Sequence, residues 1–261
     1  MKHLRKFDSV ADLNAAIANS TIGIIGLAYN NGQPVVKKKE ATVGPNFNGH
    51  DYVDLGAVIN GHKVYFATKN VGAATIYDYG NYYAWGELTP NKTGNECYWW
   101  SDYSMNPSGD MVTMTKYNET DDKTVLELTD DVAHAVMGGD WRMPTFDELQ
   151  FLNITLENNR QRVTNYQDSN VNGTLWTANN QTLFIPAGSG WEYGEIYTTD
   201  TQGIGKDWFI WSASIGEVSS ERDVTKAWLL EGTTTSMTQI APFNRYFGAT
   251  VRGVITGEAV S

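Results

Sequence analysis

Cysteine is almost missing from this 261-residue chain: Cys97 stands alone, so no intramolecular disulfide can form and a disulfide-dense secreted scaffold is excluded. A lone thiol in "NECYWW", with no histidine or lysine beside it in sequence to depress its pKa, is expected to be idle. Histidine is also scarce. His3, His50, His62 and His134 are scattered without HExxH or Cys/His ligand spacing, which argues against a zinc site. Positive charge is outnumbered, with a formal net charge of -11, and no lysine- or arginine-rich stripe is present apart from the short "VKKKE" at 36–40, a solvated edge or linker; a nucleic-acid surface is not expected. Long apolar runs are absent. The longest candidate, "TIGIIGLAY" at 21–29, falls far below the roughly 20 residues of a membrane helix and is expected to be a strand, so no membrane insertion is expected. The first 20 residues lack an export-signal pattern, and without export the six Asn-x-Ser/Thr sequons at Asn19, Asn91, Asn118, Asn153, Asn172 and Asn180 are chance matches.

Catalytic signatures are equally thin. "GIGK" at 203–206 has neither P-loop nor dinucleotide-binding spacing, and no GxSxG elbow occurs. "DYSMNPSGD" at 102–110 offers spaced oxygens without the order of an EF-hand; an ordinary loop is the expectation there, with a structural Ca²⁺ as the lesser alternative, and otherwise no cofactor or metal. Glu192 and Glu195 flank Gly194, an arrangement open to acid/base work but more simply a solvated loop.

What the chain does have is aromatic mass, 9 Trp and 14 Tyr, clustered in turn-rich segments where rings with polar tips suit irregular cores and recognition surfaces alike. Its clearest local element is "GGDWRMPTFDEL" at 138–149. Thr145 and Glu148 are spaced as a capping box, Pro144 keeps the preceding chain extended, and Phe146, Leu149, Leu152 and Leu156 recur at three- and four-residue intervals. This predicts a helix from Thr145 to about Leu156 with one buried face, with Trp141 and Met143 entering the same core. His134 is expected to be structural and Asp130 or Asp131 to cap the short turn that holds it.

The chain divides by composition into an N-terminal arm at 1–44, a linker at 45–50 within the Gly-, Pro- and Asn-rich stretch 41–51, and a body at 51–261. In the arm, Asp8 or Ser9 caps a helix with the stripe Val10, Leu13 and Ile17; a strand containing Ile24 and Ile25 follows, and an Asn-Gly turn leads into "QPVVKKK". Phe7, Val10, Leu13, Ile17, Ile24 and Ile25 are the expected attachment residues of this helix-hairpin unit, which is too short to bury a core alone. The body presents many short strands, among them "LFIPAG", "WFIWSAS" and "KAWLLE", with Pro186 marking an edge or bulge.

The blocks "YVDLG", "VYFATKNVGA", "DYGNYYAWGE", "TKYN", "LELTDDVAHAVMGGDWRMPTFDEL", "LFIPAG", "FIWSAS" and "RYFGATVRGVI" together resemble the Fibrobacter succinogenes major paralogous domain over roughly Asp51 to Ile255. That resemblance implies an α+β, C-type-lectin-like domain with short strands, long loops and few helices, similar in fold to sulfatase-modifying factors and retroelement-diversified receptor-binding proteins. Departures narrow what it implies. Cys97 sits in the wrong context for sulfatase-modifying chemistry, and the Glu-Pro-Asn, Gln-Pro-Asp and Trp-Asn-Asp triplets of calcium-bridged sugar sites are missing. Loop residues Trp191, Tyr193, Tyr197, Trp208, Asn244, Arg245 and Tyr246 are the expected ligand surface; Trp211 and Trp228 are expected in the core, and Arg252 against a buried carboxylate. The arm resembles short attachment segments of gut-phage virion proteins. The resulting expectation is a non-enzymatic, homo-oligomeric virion protein, joined to other virion proteins through its arm and displaying the body to a bacterial surface glycan or protein. Alternatives are a bacterial surface or pilus-tip adhesin and, third, a polysaccharide-acting enzyme.

Overall fold

The computed structural model describes residues 3–13, 24–30, 33–39, 46–110, 112–199, 202–218, 221–233 and 238–259. They fall into two compact units, Met1–Pro45 and Asn46–Ser261. The balance is strongly toward strands with few, short helices, as in an α+β or mainly-β chain, and no helix among the described residues is long and apolar enough to cross a membrane.

In the first unit, β1 (His3–Lys6) lies parallel to β2 (Ile24–Asn30), which pairs antiparallel with β3 (Gln33–Lys39). A parallel pair cannot be joined by a tight turn. The helix beginning at Val10 starts that crossover: the Ser9 hydroxyl accepts from the Asp12 amide at 3.1 Å, and Leu13 and Ala28 are buried. The expected helix-hairpin therefore carries an additional parallel strand, whose residues have no periodicity long enough to announce it. Phe7 and Val10 are half-buried, Ile24 and Ile25 lie in β2, and Ile17 lies outside the described residues.

The second unit begins earlier than the expected linker allows. β4 (Asn46–Phe47) pairs with the start of β5 (His50–Ile59), and the Phe47 carbonyl accepts from Trp141 Nε1 at 3.0 Å, so 46–50 belong to the body. β5 turns through Asn60 and Gly61, both at positive φ as a two-residue hairpin requires, into β6 (His62–Asn70). The last strand, β15 (Arg252–Ala259), pairs antiparallel with β6 and closes a four-stranded sheet in the order β15-β6-β5-β4. Two antiparallel sheets complete the body: β7 (Arg160–Val163), β8 (Gly173–Ala178) and β9 (Gln181–Pro186), then β12 (Trp208–Val218), β13 (Glu221–Gly232) and β14 (Gln239–Asn244), with a small hairpin of β10 (Trp191–Glu192) and β11 (Glu195–Ile196) between them. Pro186 ends an edge strand of its sheet, where its missing donor costs no ladder bond.

The capping expectations hold. Asp131 accepts from the His134 and Met143 amides (3.0 and 2.7 Å) and starts α1 (Val132–Met137), and the His134 ring nitrogen faces the Trp141 carbonyl at 3.3 Å. Thr145 and Glu148 form the capping box of α2 (Phe146–Gln150), and Arg142 makes a two-pronged pair with the same Glu148 carboxylate at 2.8 and 2.6 Å. The expected single helix to Leu156 instead widens into a π-turn over Phe151–Thr155, while keeping Leu149, Leu152 and Leu156 buried.

Among the described residues between Val71 and Asp131 the chain contributes isolated bridges at Tyr83 and Val125 but no strand, yet it buries Trp85, Tyr103 and Tyr117. Arg245 holds this segment. Its guanidinium lies 4.6 Å from the Trp85 ring centroid and donates to the Tyr103 hydroxyl (2.9 Å) and to the carbonyls of Tyr117 (3.2 Å), Lys116 (3.1 Å) and Val224 (2.9 Å). Arg252, expected against a carboxylate, is also buried among neutral acceptors: Asn70 Oδ1 at 2.9 Å, Ala67 O at 3.0 Å and Phe184 O at 3.1 Å. Burial pushes its pKa down to about 9, so it stays charged at neutral pH. Trp211 is core as expected, whereas Trp228 is half-buried on the outer face of β13 beside Phe146.

Replacing Arg245 with methionine keeps apolar volume but strands three carbonyls and removes the donor to the Tyr103 hydroxyl, which keeps its own bond to Trp85 O. We expect it to cost at least about 3 kcal/mol in urea unfolding, against about 1 kcal/mol for Thr145→Ala, which removes only a helix cap.

Candidate functional site

After β9 the chain runs through Ala187–Gly190 into the β10–β11 hairpin, whose two turn residues, Tyr193 and Gly194, both have positive φ. Gly194 is required by space as well as by conformation, since a Cβ there would sit 2.4 Å from the Gly94 carbonyl oxygen. The turn docks on the loop before Trp99: the Gly194 amide donates to Cys97 O at 2.8 Å, and the Tyr193 ring stacks on Trp99 with centroids 3.8 Å apart. At the hairpin base, Trp191 and Gly248 exchange two backbone hydrogen bonds of 2.8 Å, which fixes the hairpin to the segment leading into β15.

Next to the hairpin, Lys226 of β13 lies opposite Asn244 of β14. A polar chain runs from this pair. The Lys226 ammonium donates to Asn244 Oδ1, Asn244 Nδ2 donates to the Tyr246 hydroxyl at 2.8 Å, and that hydroxyl donates to Glu192 Oε1 at 2.8 Å. Desolvation and the adjacent Glu192 carboxylate raise the Tyr246 pKa, so the phenol keeps its proton and acts as the donor. Above the chain opens a cleft of about 230 Å³, lined by Glu192, Tyr197, Lys226, Pro242, Phe243, Asn244 and Phe247. Tyr197 and Phe243 meet Phe247 with ring centroids 5.6 and 5.1 Å apart and form its apolar side. A carboxylate, an ammonium and an amide beside aromatic faces suit a ligand that offers both hydroxyl or amide groups and flat C–H surfaces.

The expected residues separate. Tyr197 and Asn244 line the cleft, Trp191 and Tyr193 form the neighbouring hairpin, and Tyr193 is 51 % exposed. Tyr246 is buried, wedged between Trp99 and Trp100, and contributes through its hydroxyl alone. Trp208 and Arg245 do not belong to a ligand surface. Trp208 is 1 % exposed, packs on Trp176 and donates to Thr174 Oγ1 at 2.9 Å, and Arg245 is fully buried in the cage described above. Lys226, Phe243, Phe247 and Trp99 were missed. Strand alternation in "TKAWLLE" places Lys226 opposite in facing to buried Ala227, and in "YWW" Trp100 is buried where Trp99 is not, so the signal was periodicity.

The remaining chemistry is quiet. Cys97 is buried, donates to Lys92 O, and burial pushes its thiol pKa up. In the 102–110 loop the Asp110 carboxylate accepts from the Val112 and Thr113 amides (2.9 and 2.7 Å). No group of three or more His, Cys, Asp or Glu side chains among the described residues is arranged to hold a metal ion. No protein-family model, no curated protein and no solved structure matches the chain.

Behind the cleft, Asp207 is fully buried; Oδ1 accepts from the Gly203 amide at 2.9 Å while Oδ2 has no hydrogen-bond partner. Desolvation pushes its pKa up to about 6. Its carbonyl accepts from the Ser189 amide (2.9 Å), and the Ser189 hydroxyl donates to Tyr197 O (2.8 Å), which ties this acid to the cleft wall. Because the folded state holds the proton more tightly than the unfolded chain, the contribution favours folding below about pH 4 and is lost as pH rises to about 6, a change of about 3 kcal/mol. Asp207→Asn should remove that part of the pH dependence of the urea midpoint and raise stability at pH 7 by roughly 1–3 kcal/mol.

Proposed function

We propose that this protein is a non-enzymatic phage virion component whose N-terminal unit attaches it to other virion proteins, and whose body, a C-type-lectin-like domain of the major paralogous type, presents the Lys226–Asn244–Glu192 cleft to a bacterial surface glycan or protein. The observation that carries this reading is the cleft itself. Residues from the β10–β11 hairpin, β13, β14 and the segment before β15 converge on one open, aromatic-sided recess with a built polar floor. The separate compactness of Met1–Pro45 supports a division of labour between attachment and display. A shallow cleft of this size binds weakly as a single site, and repeated display on a particle raises its avidity.

Crosslinking mass spectrometry on purified particles tests the attachment. Links from Lys37, Lys38 or Lys39 to a capsid or tail protein are expected; recovery of the protein only from bacterial envelopes would replace the virion reading with the adhesin. For the display role, Lys226→Ala and Asn244→Ala should each reduce binding of the protein to host cells about tenfold, the loss of one or two polar contacts, with the melting temperature nearly unchanged.

A further inference from the structure

The segment between β6 and Tyr83 carries Tyr77, Tyr79 and Tyr82 around an open groove of about 450 Å³, closed on its far side by Val171 and separate from the cleft above. The groove falls within the range of small-molecule sites, roughly 300–1,000 Å³. We propose that it is a second ligand site, which takes an uncharged saccharide whose pyranose faces lie on the tyrosine rings.

The groove is built, and its rings are held in place. Arg252 donates to Asn70 Oδ1 (2.9 Å), and Asn70 Nδ2 donates to the Tyr79 carbonyl (2.7 Å), so the buried arginine anchors the loop from below. Gly80 turns the chain at φ +81°, where a Cβ would lie 2.8 Å from Val71 O. Asp78 Oδ2 accepts from the Ala74 and Thr75 amides (3.1 and 2.8 Å). The Tyr77 hydroxyl donates to Gln167 Oε1 at 2.6 Å and the Tyr82 hydroxyl to Gly188 O. Rings ordered before a ligand arrives lose little entropy when it binds.

Charge and hydrogen bonding select the occupant. Among the described residues no lysine, arginine or histidine lines the groove and Asp78 is its only charged side chain, which disfavours an anionic ligand. Desolvation raises the phenol pKa values of Tyr77, Tyr79 and Tyr82, so all three hydroxyls keep their protons at neutral pH. Half-buried rings, a phenol donor and a carboxylate acceptor around one recess match the alternating C–H and O–H surface of a sugar. A peptide strand finds no strand edge to join here, because the groove is lined by a loop in which the amides of Ala73, Ala74, Thr75, Tyr77, Asp78 and Asn81 are paired internally. A polyproline helix would draw bonds to its carbonyls from the ring hydroxyls, and those of Tyr77 and Tyr82 are already given to Gln167 Oε1 and Gly188 O.

The test titrates the 261-residue protein with maltotriose, cellotriose and chitotriose, with digalacturonate and decaproline alongside, by calorimetry up to 10 mM. At least one neutral trisaccharide should bind. Measured in the Lys226→Ala background, which takes the cleft out of the reading, Tyr79→Ala, which keeps the Cβ that packs on Gly188, should weaken it at least tenfold and Tyr79→Phe no more than about threefold. Should Tyr79→Ala fail to fold, Val171→Arg, which fills the groove without removing a loop hydrogen bond, should abolish the same binding. The proposal is overturned if none of the three neutral sugars binds, if digalacturonate or decaproline binds in preference, or if Tyr79→Ala and Val171→Arg leave affinity unchanged. Saccharide binding lost in Lys226→Ala and retained in Tyr79→Ala would overturn the groove while leaving the cleft reading intact, and the reverse pattern would separate them the other way.

Discussion

Arg245 is the contact on which the second unit depends, because it solves a problem the backbone leaves open. The described residues from Val71 to Asp131 make no strand, and only scattered backbone bonds, such as those of Tyr83 with Ala249 and of Leu126 with Ala213, tie them to the rest of the unit. One guanidinium instead collects the carbonyls of Lys116, Tyr117 and Val224 and the Tyr103 hydroxyl, while its face lies against Trp85. A buried cation without a counter-charge is expensive unless all its donors are used and aromatic faces replace part of its hydration. Here both conditions are met, the fifth N–H reaching Met105 Sδ at 3.0 Å, and the cost of disturbing them spreads over every segment the guanidinium touches.

The same constraint shapes the cleft. Asn244, Arg245 and Tyr246 are consecutive, so anchoring Arg245 inward sets where its two neighbours lie. Asn244 faces the cleft, and the Tyr246 ring wedges between Trp99 and Trp100 with its hydroxyl on Glu192. Interior stability and surface geometry are thus coupled through three residues. Variants of the cleft side chains themselves are separable from the fold because Lys226 and Asn244 point outward from β13 and β14, whereas Arg245 is not.

Arg252 plays the matching role for the tyrosine groove, through Asn70 and the Tyr79 carbonyl. Between the two recesses runs Ala187–Trp191, whose glycines are set by close approach. A Cβ on Gly188 would meet the Tyr79 ring at 2.7 Å, and one on Gly190 would meet Phe247 at 2.4 Å. Trp191 and Tyr82 touch edge to face at 6.1 Å, so the aromatic surfaces of groove and hairpin abut. Rigid, irregular loops pinned by buried arginines are a way to display rings without the entropy that mobile loops lose on binding.

Local chemistry made part of this legible in the sequence. Ser9, Asp131 and the Thr145–Glu148 box were readable as caps because a cap depends on residues three positions apart, the strands around Phe184 and Leu229 were readable from alternation, and the one around Ile210 from its short apolar run. Tyr197 and Asn244, singled out by an aromatic- and amide-rich context, line the cleft. Trp208 and Arg245 stand in similar contexts but are interior, and nothing near them in sequence says so: their partners are Thr174 and Trp176, and Tyr103 and Tyr117. The sequence by itself determined the caps, most strands and the abundance of rings. Only the tertiary structure decided which rings and which cations are buried, because burial depends on contacts between residues far apart in the chain, and those contacts follow from how the sheets and loops close on one another.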